Sequence, residues 1–236
     1  MYEEAKFLPA GDRALVMELG AEVSPVINRK IRNLSLGIRK QGIKGIEELL
    51  PTYRSILINY NPLLIQRREL IRELKKIEKS ISDFNLPQPK LVEIPICYGG
   101  EYGLDLEYVA QYNNLSPIEV IELHSAEEYL IYMLGFTPGF AYLGGLAEQI
   151  ATPRLKEPRV EIPAGSVGIA GQQTGIYPIS SPGGWQLIGR TPLKLFDPQR
   201  QIPILEGIKA GNYLKFIPIT EVKYEEIKEK VESGEY

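Results

Sequence analysis

Apolar and polar positions alternate over residues 6–9 and 14–19, on either side of the turn Ala10-Gly11-Asp12. This is the two-residue period of short, half-buried strands. The period then becomes helical. Ser24 stands as an N-cap with Pro25 at the first helical position; the helix they predict runs to about residue 40 and stops at Gln41-Gly42. Residues 46–50 and 55–60 return to strand character. A second helix follows, with Leu63, Leu70, Leu74, Ile77 and Ile81 along one stripe. Between those positions, residues 66–79 are dominated by Arg, Lys and Glu. Such a run is either a partner surface or, more simply, a solvated face laced with i,i+4 pairs.

The order β-β-α-β-β-α predicts two helices packed on one antiparallel sheet, a small α+β layer. It closes at residues 83–90, where Pro87 and Pro89 bracket a polar stretch that reads as a linker. The expected division is an α+β N-terminal domain over 1–86 and a second domain over 87–236. Beyond the linker a strand over 91–97 leads to Tyr98-Gly99-Gly100, then to short helices over 104–112 and 117–123, the second with Ser116 as its cap. Short strand signals follow at 129–134, 160–163, 166–170, 175–179, 185–190, 194–196 and 213–217, before a charged terminal helix over 221–231. Residues 1–90 hold 5 Gly and 6 Pro, whereas residues 91–236 hold 17 and 12. Many short strands punctuated in this way predict a sandwich or a closed barrel.

Composition narrows the function classes. The chain has 236 residues, 27 Lys and Arg against 30 Asp and Glu, a formal net charge of -3, one His and one Cys. That balance gives no general attraction to nucleic acid or to an anionic membrane. A single histidine excludes His-Glu-x-x-His and every multi-His metal site. One cysteine cannot close an intrachain disulfide, the acidic start Met1-Tyr2-Glu3-Glu4 has no signal-peptide pattern, and no apolar run reaches the ~18 residues of a membrane span. The expectation is a cytoplasmic protein. Cys97 follows an apolar strand and reads as a small core residue rather than a nucleophile.

The candidate chemistry lies in residues 135–192, with 11 Gly and 7 Pro in 58 residues, seven charged side chains and no Asp. Phe136, Phe140, Tyr142, Tyr177 and Trp185 interleave the glycines. Close backbone packing around a pocket explains this mixture, although tight barrel turns with aromatic plugs would explain it too. The familiar signatures are missing. There is no Walker A loop, Gly165, Gly168 and Gly171 do not form Gly-x-Gly-x-x-Gly, and Ala164-Gly165-Ser166-Val167-Gly168 lacks the first glycine of a nucleophile elbow.

Longer motifs are more informative. The run Tyr132-Met133-Leu134-Gly135-Phe136-Thr137-Pro138-Gly139-Phe140-Ala141-Tyr142-Leu143-Gly144-Gly145-Leu146 is followed by Ile162-Pro163-Ala164-Gly165-Ser166-Val167-Gly168-Ile169-Ala170-Gly171. Then come Gln173-Thr174-Gly175-Ile176-Tyr177-Pro178 and Ser181-Pro182-Gly183-Gly184-Trp185-Gln186-Leu187-Ile188-Gly189-Arg190-Thr191-Pro192. Together with Ile94-Pro95-Ile96-Cys97-Tyr98-Gly99-Gly100 and His124, the sequence resembles the family of 5-oxoprolinase B subunits. That family is also called KipI-like or allophanate hydrolase subunit 1. The motifs span residues 94 to 198; the first 90 residues match in length and pattern. Gln172, where another glycine is common, and Asn212, where an acid is usual, are small departures.

The resemblance implies an α+β N-terminal domain followed by a cyclophilin-like β-barrel. It implies a part in ATP-dependent opening of 5-oxoproline to glutamate, with the enzyme's C subunit as partner and its A subunit functionally coupled. ATP and Mg²⁺ would be co-substrates of the complex, with no tightly bound cofactor and no resident metal. Related members include an inhibitor of a sensor histidine kinase and modules of urea carboxylase and allophanate hydrolase systems, the two rival readings. The site expected on this basis has His124 and Arg159 as catalytic residues. Phe136, Gly139, Phe140, Tyr142, Ser166, Gln173, Tyr177, Trp185 and Arg190 are expected to bind substrate or nucleotide. His124 can serve as an acid/base near neutral pH, or simply as a histidine at a helix C-terminus. Arg159, in a segment poor in charge, is expected to lack a protein partner and to take an anionic ligand. Both are therefore expected to matter more to activity than to stability. Arg154 and Lys156 are further cations of the segment, while Glu148, Glu157 and Glu161 are its few acids. So few carboxylates imply a site completed by a partner protein.

Overall fold

The computed structural model describes residues 1–80 and 86–235. The chain forms two compact units, Met1–Gln88 and Pro89–Tyr236. Residues 81–85, which include Ile81 and the start of the expected linker, lie outside the described residues.

The first unit runs β1 (Lys6–Pro9), β2 (Ala14–Glu18), α1 (Pro25–Gln41), β3 (Ile46–Pro51), β4 (Ser55–Tyr60) and α2 (Arg67–Ser80). Its strands form one antiparallel sheet in the order β1-β2-β4-β3. Helix α1 buries Ile27, Ile31, Leu34 and Ile38, and α2 buries Leu70, Leu74 and Ile77. These residues share one core with Leu15, Met17, Ile56 and Ile58 of the sheet. Ser24 is the N-cap of α1 but its side chain makes no capping bond, and Gly42 ends the helix at φ 60° in the left-handed region. Leu63 does not join the α2 stripe. The Asn61 carboxamide accepts from the Leu63 N–H in a turn ahead of the helix, and Leu63 stays exposed. The charged face of α2 carries ordinary pairs, Lys76 with Glu73, and Glu78 with Lys30 of α1.

The second unit runs β5 (Leu91–Tyr98), α3 (Leu106–Tyr112), α4 (Pro117–Ala126), β6 (Glu128–Leu134), β7 (Ala141–Gly144), β8 (Arg159–Ile162), β9 (Ser166–Ala170), β10 (Gln173–Ile176), β11 (Ser181–Gly183), β12 (Gln186–Arg190), β13 (Tyr213–Pro218) and α5 (Glu221–Ser233). Seven strands close a barrel in the order β10-β7-β6-β13-β5-β12-β9. Strands β5 and β13 pair in parallel, and the other pairs are antiparallel. Closure leaves no exposed sheet edge along the barrel. Ile94, Ile96, Tyr129, Ile131, Val167, Ile169, Leu214 and Phe216 are fully buried in a core that also takes Val109 of α3 and Val120 of α4. Strands β8 and β11 form a separate two-stranded ribbon. Residues 194–196, expected as a strand, make one isolated bridge, Phe196 to Ile204. Among the described residues no helix is long and apolar enough to cross a membrane.

Candidate functional site

The glycine-rich stretch builds a cavity of about 510 Å³. Strand β7 brings Tyr142 to its wall, and the turn before β7 brings Phe136 and Phe140. Gln173 begins β10, Tyr177 follows that strand, and Gly183, Gly184 and Trp185 connect β11 to β12. The rings meet edge to face: Phe140 lies 5.0 Å from Tyr142, 5.6 Å from Tyr177 and 5.6 Å from Trp185 by centroid. T-shaped packing of this kind holds aromatic walls rigid. Phe140, Tyr177 and Trp185 are buried with Ile162, Ala170 and Leu187 in a small core of their own.

Phe136 stands at the rim with 61% of its surface exposed, at φ 67°. The Thr137 N–H donates to the Gly135 carbonyl at 2.8 Å, closing a three-residue turn centred on Phe136. Positive φ at the centre of such a turn is the rare, strained form, and for a bulky side chain it is an outlier. Strain of this order persists only where the surroundings enforce it.

Among the described residues, one charged side chain lines the cavity. Arg154 is exposed and, among the described residues, has neither a carboxylate nor a hydrogen-bond partner. Its backbone is nevertheless fixed on both sides. The Gln186 Nε2 donates to the Pro153 carbonyl at 2.9 Å, and the Leu155 N–H donates to the Gly184 carbonyl at 2.8 Å. A Cβ on Gly184 would lie 3.6 Å from the nearer Arg154 guanidinium nitrogen, an ordinary van der Waals contact, so that group lies directly beside the glycine. Burial pushes the Tyr142 and Tyr177 hydroxyls above the usual phenol range. The Arg154 charge pulls both back, as does a backbone hydrogen bond at Trp185 for Tyr177. None of the described residues lining this cavity is a carboxylate.

Six expected binding residues therefore meet at one wall: Phe136, Phe140, Tyr142, Gln173, Tyr177 and Trp185. Five expected site residues do not line it. Gly139 sits in the turn beneath Phe140, against Phe196 and Pro178. Ser166 and Arg190 are cross-strand partners on β9 and β12. The Ser166 side chain is fully buried, while Arg190 donates to the Glu101 carbonyl and lies 5.8 Å from the Tyr102 ring.

Arg159 is not free for a ligand, contrary to expectation. Its Nη2 donates to Asp105 Oδ1 at 2.7 Å and its Nη1 to the Trp185 carbonyl at 3.3 Å. The other Asp105 oxygen accepts from the Leu187 N–H at 2.6 Å, and the Asp105 N–H donates back to the Leu187 carbonyl. Arg159 and Asp105 thus clamp the approach to α3 onto the strand behind Trp185. Sequence reading missed Asp105, which stands between Glu101 and Glu107 and falls inside the helix expected over 104–112, so nothing set it apart from its neighbours.

His124 is not in the pocket either. Its side chain is fully buried, stacked on Phe216 at 4.4 Å between centroids. Thr174 Oγ1 donates its proton to the Gly168 carbonyl, so at 2.8 Å it accepts from His124 Nε2–H. That leaves Nδ1 as the acceptor for the Tyr98 hydroxyl, also at 2.8 Å. Burial pulls the imidazole pKa down to about 3. A ring neutral from pH 3 upward, with both nitrogens occupied, does not support an acid/base role near neutrality. Cys97 is a buried core residue whose thiol is pushed up by burial and then by Glu221 and Glu101.

Comparison with known proteins places the chain in a family. Residues 5–206 match the family described as carboxyltransferase domain, subdomain C and D. The 5-oxoprolinase B subunit of Bacillus subtilis is 44% identical over 93% of this chain and 95% of its own length. The protein of the same name from Escherichia coli O157:H7 is 41% identical over 92% and 97%. The chain belongs to the family of 5-oxoprolinase B subunits. Among solved structures, a conserved uncharacterized protein of Pyrococcus horikoshii is 47% identical, covering 93% of this chain and 100% of that one at a TM-score of 0.55. The urea carboxylase of Kluyveromyces lactis, 23% identical, covers 98% of this chain and 23% of that protein at a TM-score of 0.82, a likeness of fold.

Proposed function

We propose that this chain is the B subunit of an ATP-dependent 5-oxoprolinase and that it works only within a complex with the enzyme's C subunit, coupled to its A subunit. The observation that carries the reading is the make-up of the pocket wall: aromatic rings, one guanidinium and no carboxylate among the described lining residues. The ligand such a wall suits is small, partly apolar and anionic. 5-Oxoproline, a five-membered lactam bearing a carboxylate, is of that kind, and the bacterial relatives are named as B subunits of 5-oxoprolinase.

A lactam is stabilised by resonance, so hydrolysis near neutral pH needs an activating co-substrate, for which ATP is the family's expected choice. The residues here do not fit MgATP by themselves. Mg²⁺ takes oxygen ligands, chiefly carboxylates and phosphates, and a triphosphate needs several cations, whereas this wall offers a single Arg. Nucleotide and metal are therefore assigned to the partner protein. This chain's own share is to seat the lactam against Phe140, Tyr177 and Trp185, and to keep bulk water off the ring. The cyclophilin-like description of the barrel belongs to the same proposal.

The test is reconstitution. The purified chain, the C subunit and the A subunit are mixed in all combinations, and 5-oxoproline-dependent ATP hydrolysis is measured. The proposal requires silence from this chain alone and activity in the complete mixture. Turnover by the isolated chain would refute the shared site. Inactivity of every mixture, with inhibition of a sensor histidine kinase by the chain, would establish the regulatory reading in its place.

A further inference from the structure

We infer that Arg154 makes this pocket a carboxylate-recognition site for a small ring-bearing acid; naming that acid as 5-oxoproline rests on the proposed function. Three observations converge. Arg154 is the only charged side chain among the described lining residues, and among the described residues it has neither a carboxylate nor a hydrogen-bond partner. Its backbone is held by hydrogen bonds at Pro153 and at Leu155, both from the Gly184–Gln186 segment that carries Trp185. The guanidinium lies against Gly184, where a Cβ would come within van der Waals contact of it, 3.6 Å from the nearer nitrogen. An exposed surface arginine needs none of this support. A guanidinium positioned over an aromatic wall is the usual device for fixing a planar anion by two parallel hydrogen bonds.

The choice of carboxylate over phosphate follows from charge. Lys156 is not at the wall and Arg159 is already committed to Asp105. One cation matches one carboxylate. A nucleotide's phosphates would be left mostly uncompensated in the same place. The edge-to-face rings of Phe140, Tyr177 and Trp185 supply the surface for the ring of the acid.

Trp185 is the only tryptophan of the chain and lies in the wall, so its emission reports occupancy. The full chain is titrated with 5-oxoproline, 5-oxoproline carboxamide, cyclopentanecarboxylate and ATP, and each titration is repeated by equilibrium dialysis. The two acids are expected to bind, the carboxamide at least 10-fold more weakly. Arg154→Gln should weaken the acids by about 10- to 100-fold, the order for losing a charge-assisted pair, and abolish the acid-over-amide preference. Its melting temperature should not move, because neither of the bonds that pin the segment uses the Arg154 side chain. Absence of acid binding, an undiminished preference in Arg154→Gln, or ATP binding more tightly than the acids would each overturn the inference.

The two claims fail separately. Binding of cyclopentanecarboxylate with no response to 5-oxoproline keeps the carboxylate site and removes the proposed substrate. An unchanged KM for 5-oxoproline in a complete complex carrying Arg154→Gln keeps the proposed function and removes the site.

Discussion

An imidazole buried with both nitrogens bonded has its charge fixed along with its position. Protonating His124 would require Nδ1 to donate where it now accepts from Tyr98, in a setting that pulls its pKa to about 3. In the unfolded chain the same residue titrates near its ordinary ~6.5. Between those values the unfolded state holds a proton that the folded state lacks, so stability falls as pH drops from about 6.5 toward 3. The largest slope from this one group is about 1.4 kcal/mol per pH unit. Melting temperatures of wild type and His124→Gln across that range should therefore diverge at high pH and converge at low pH; parallel curves would show that His124 contributes nothing to acid sensitivity. Phe136 makes a different residue-scale argument. Its positive φ costs a non-glycine residue about 1–2 kcal/mol, and its exposed ring returns little packing energy. Phe136→Gly should consequently melt higher than Phe136→Ala, although glycine normally loses that comparison. The reverse order in thermal melts would mean that the turn is unstrained. Neither property was legible in the sequence: the first arises from His124 contacts with the distant Tyr98 and Thr174, and the second from a tight turn at a residue type that gives no turn signal.

At the scale of elements, the Arg159–Asp105 pair joins the first residue of β8 to the residue that precedes α3. Arg159 keeps 26% side-chain exposure and Asp105 only 12%, so truncating the cation leaves a mostly buried carboxylate with the Leu187 N–H as its remaining donor. Arg159→Ala and Asp105→Ala should each cost about 1–3 kcal/mol. The double variant should cost less than the two together, because the residues share one interaction. Denaturant titration of the three variants checks this, and an Arg159→Ala protein as stable as wild type would rule the clamp out. The same pair shows where sequence reading stops. Strands β2 and β4, with alternating burial, were legible, as were β9 as a short run between turn signals and α1 with its Pro25 start and Gly42 stop. Strand β7 was not, because Ala141–Gly144 is masked by the surrounding glycines, and β11 carries Pro182, which normally argues against a strand except at an edge. Residues 194–196 look like a strand but find no neighbour beyond one bridge. The pairing of Asp105 with an Arg 54 positions later is a property of the closed barrel and has no local signature.

For the whole molecule, the closure order β10-β7-β6-β13-β5-β12-β9 brings the turn before β7, the start of β10 and the β11–β12 connection to one wall. That convergence explains why six aromatic and polar residues singled out along the sequence share a pocket, while Ser166 and Arg190, just as conspicuous in the motifs, do not line it. Glycine and aromatic patterning announces that a pocket exists; only the strand order says which residues face it. If the chain meets its substrate in this pocket, a side chain at Gly184 should block it. A Cβ there meets nothing closer than 3.6 Å, so a larger side chain can enter the cavity without forcing the backbone. The decisive measurement is 5-oxoproline-dependent ATP hydrolysis by the complete set of subunits carrying Gly184→Leu, beside its thermal melt. The expected result is a rate at least 10-fold below wild type with an unchanged melting temperature. A fully active Gly184→Leu complex would show that the chemistry does not pass through this pocket.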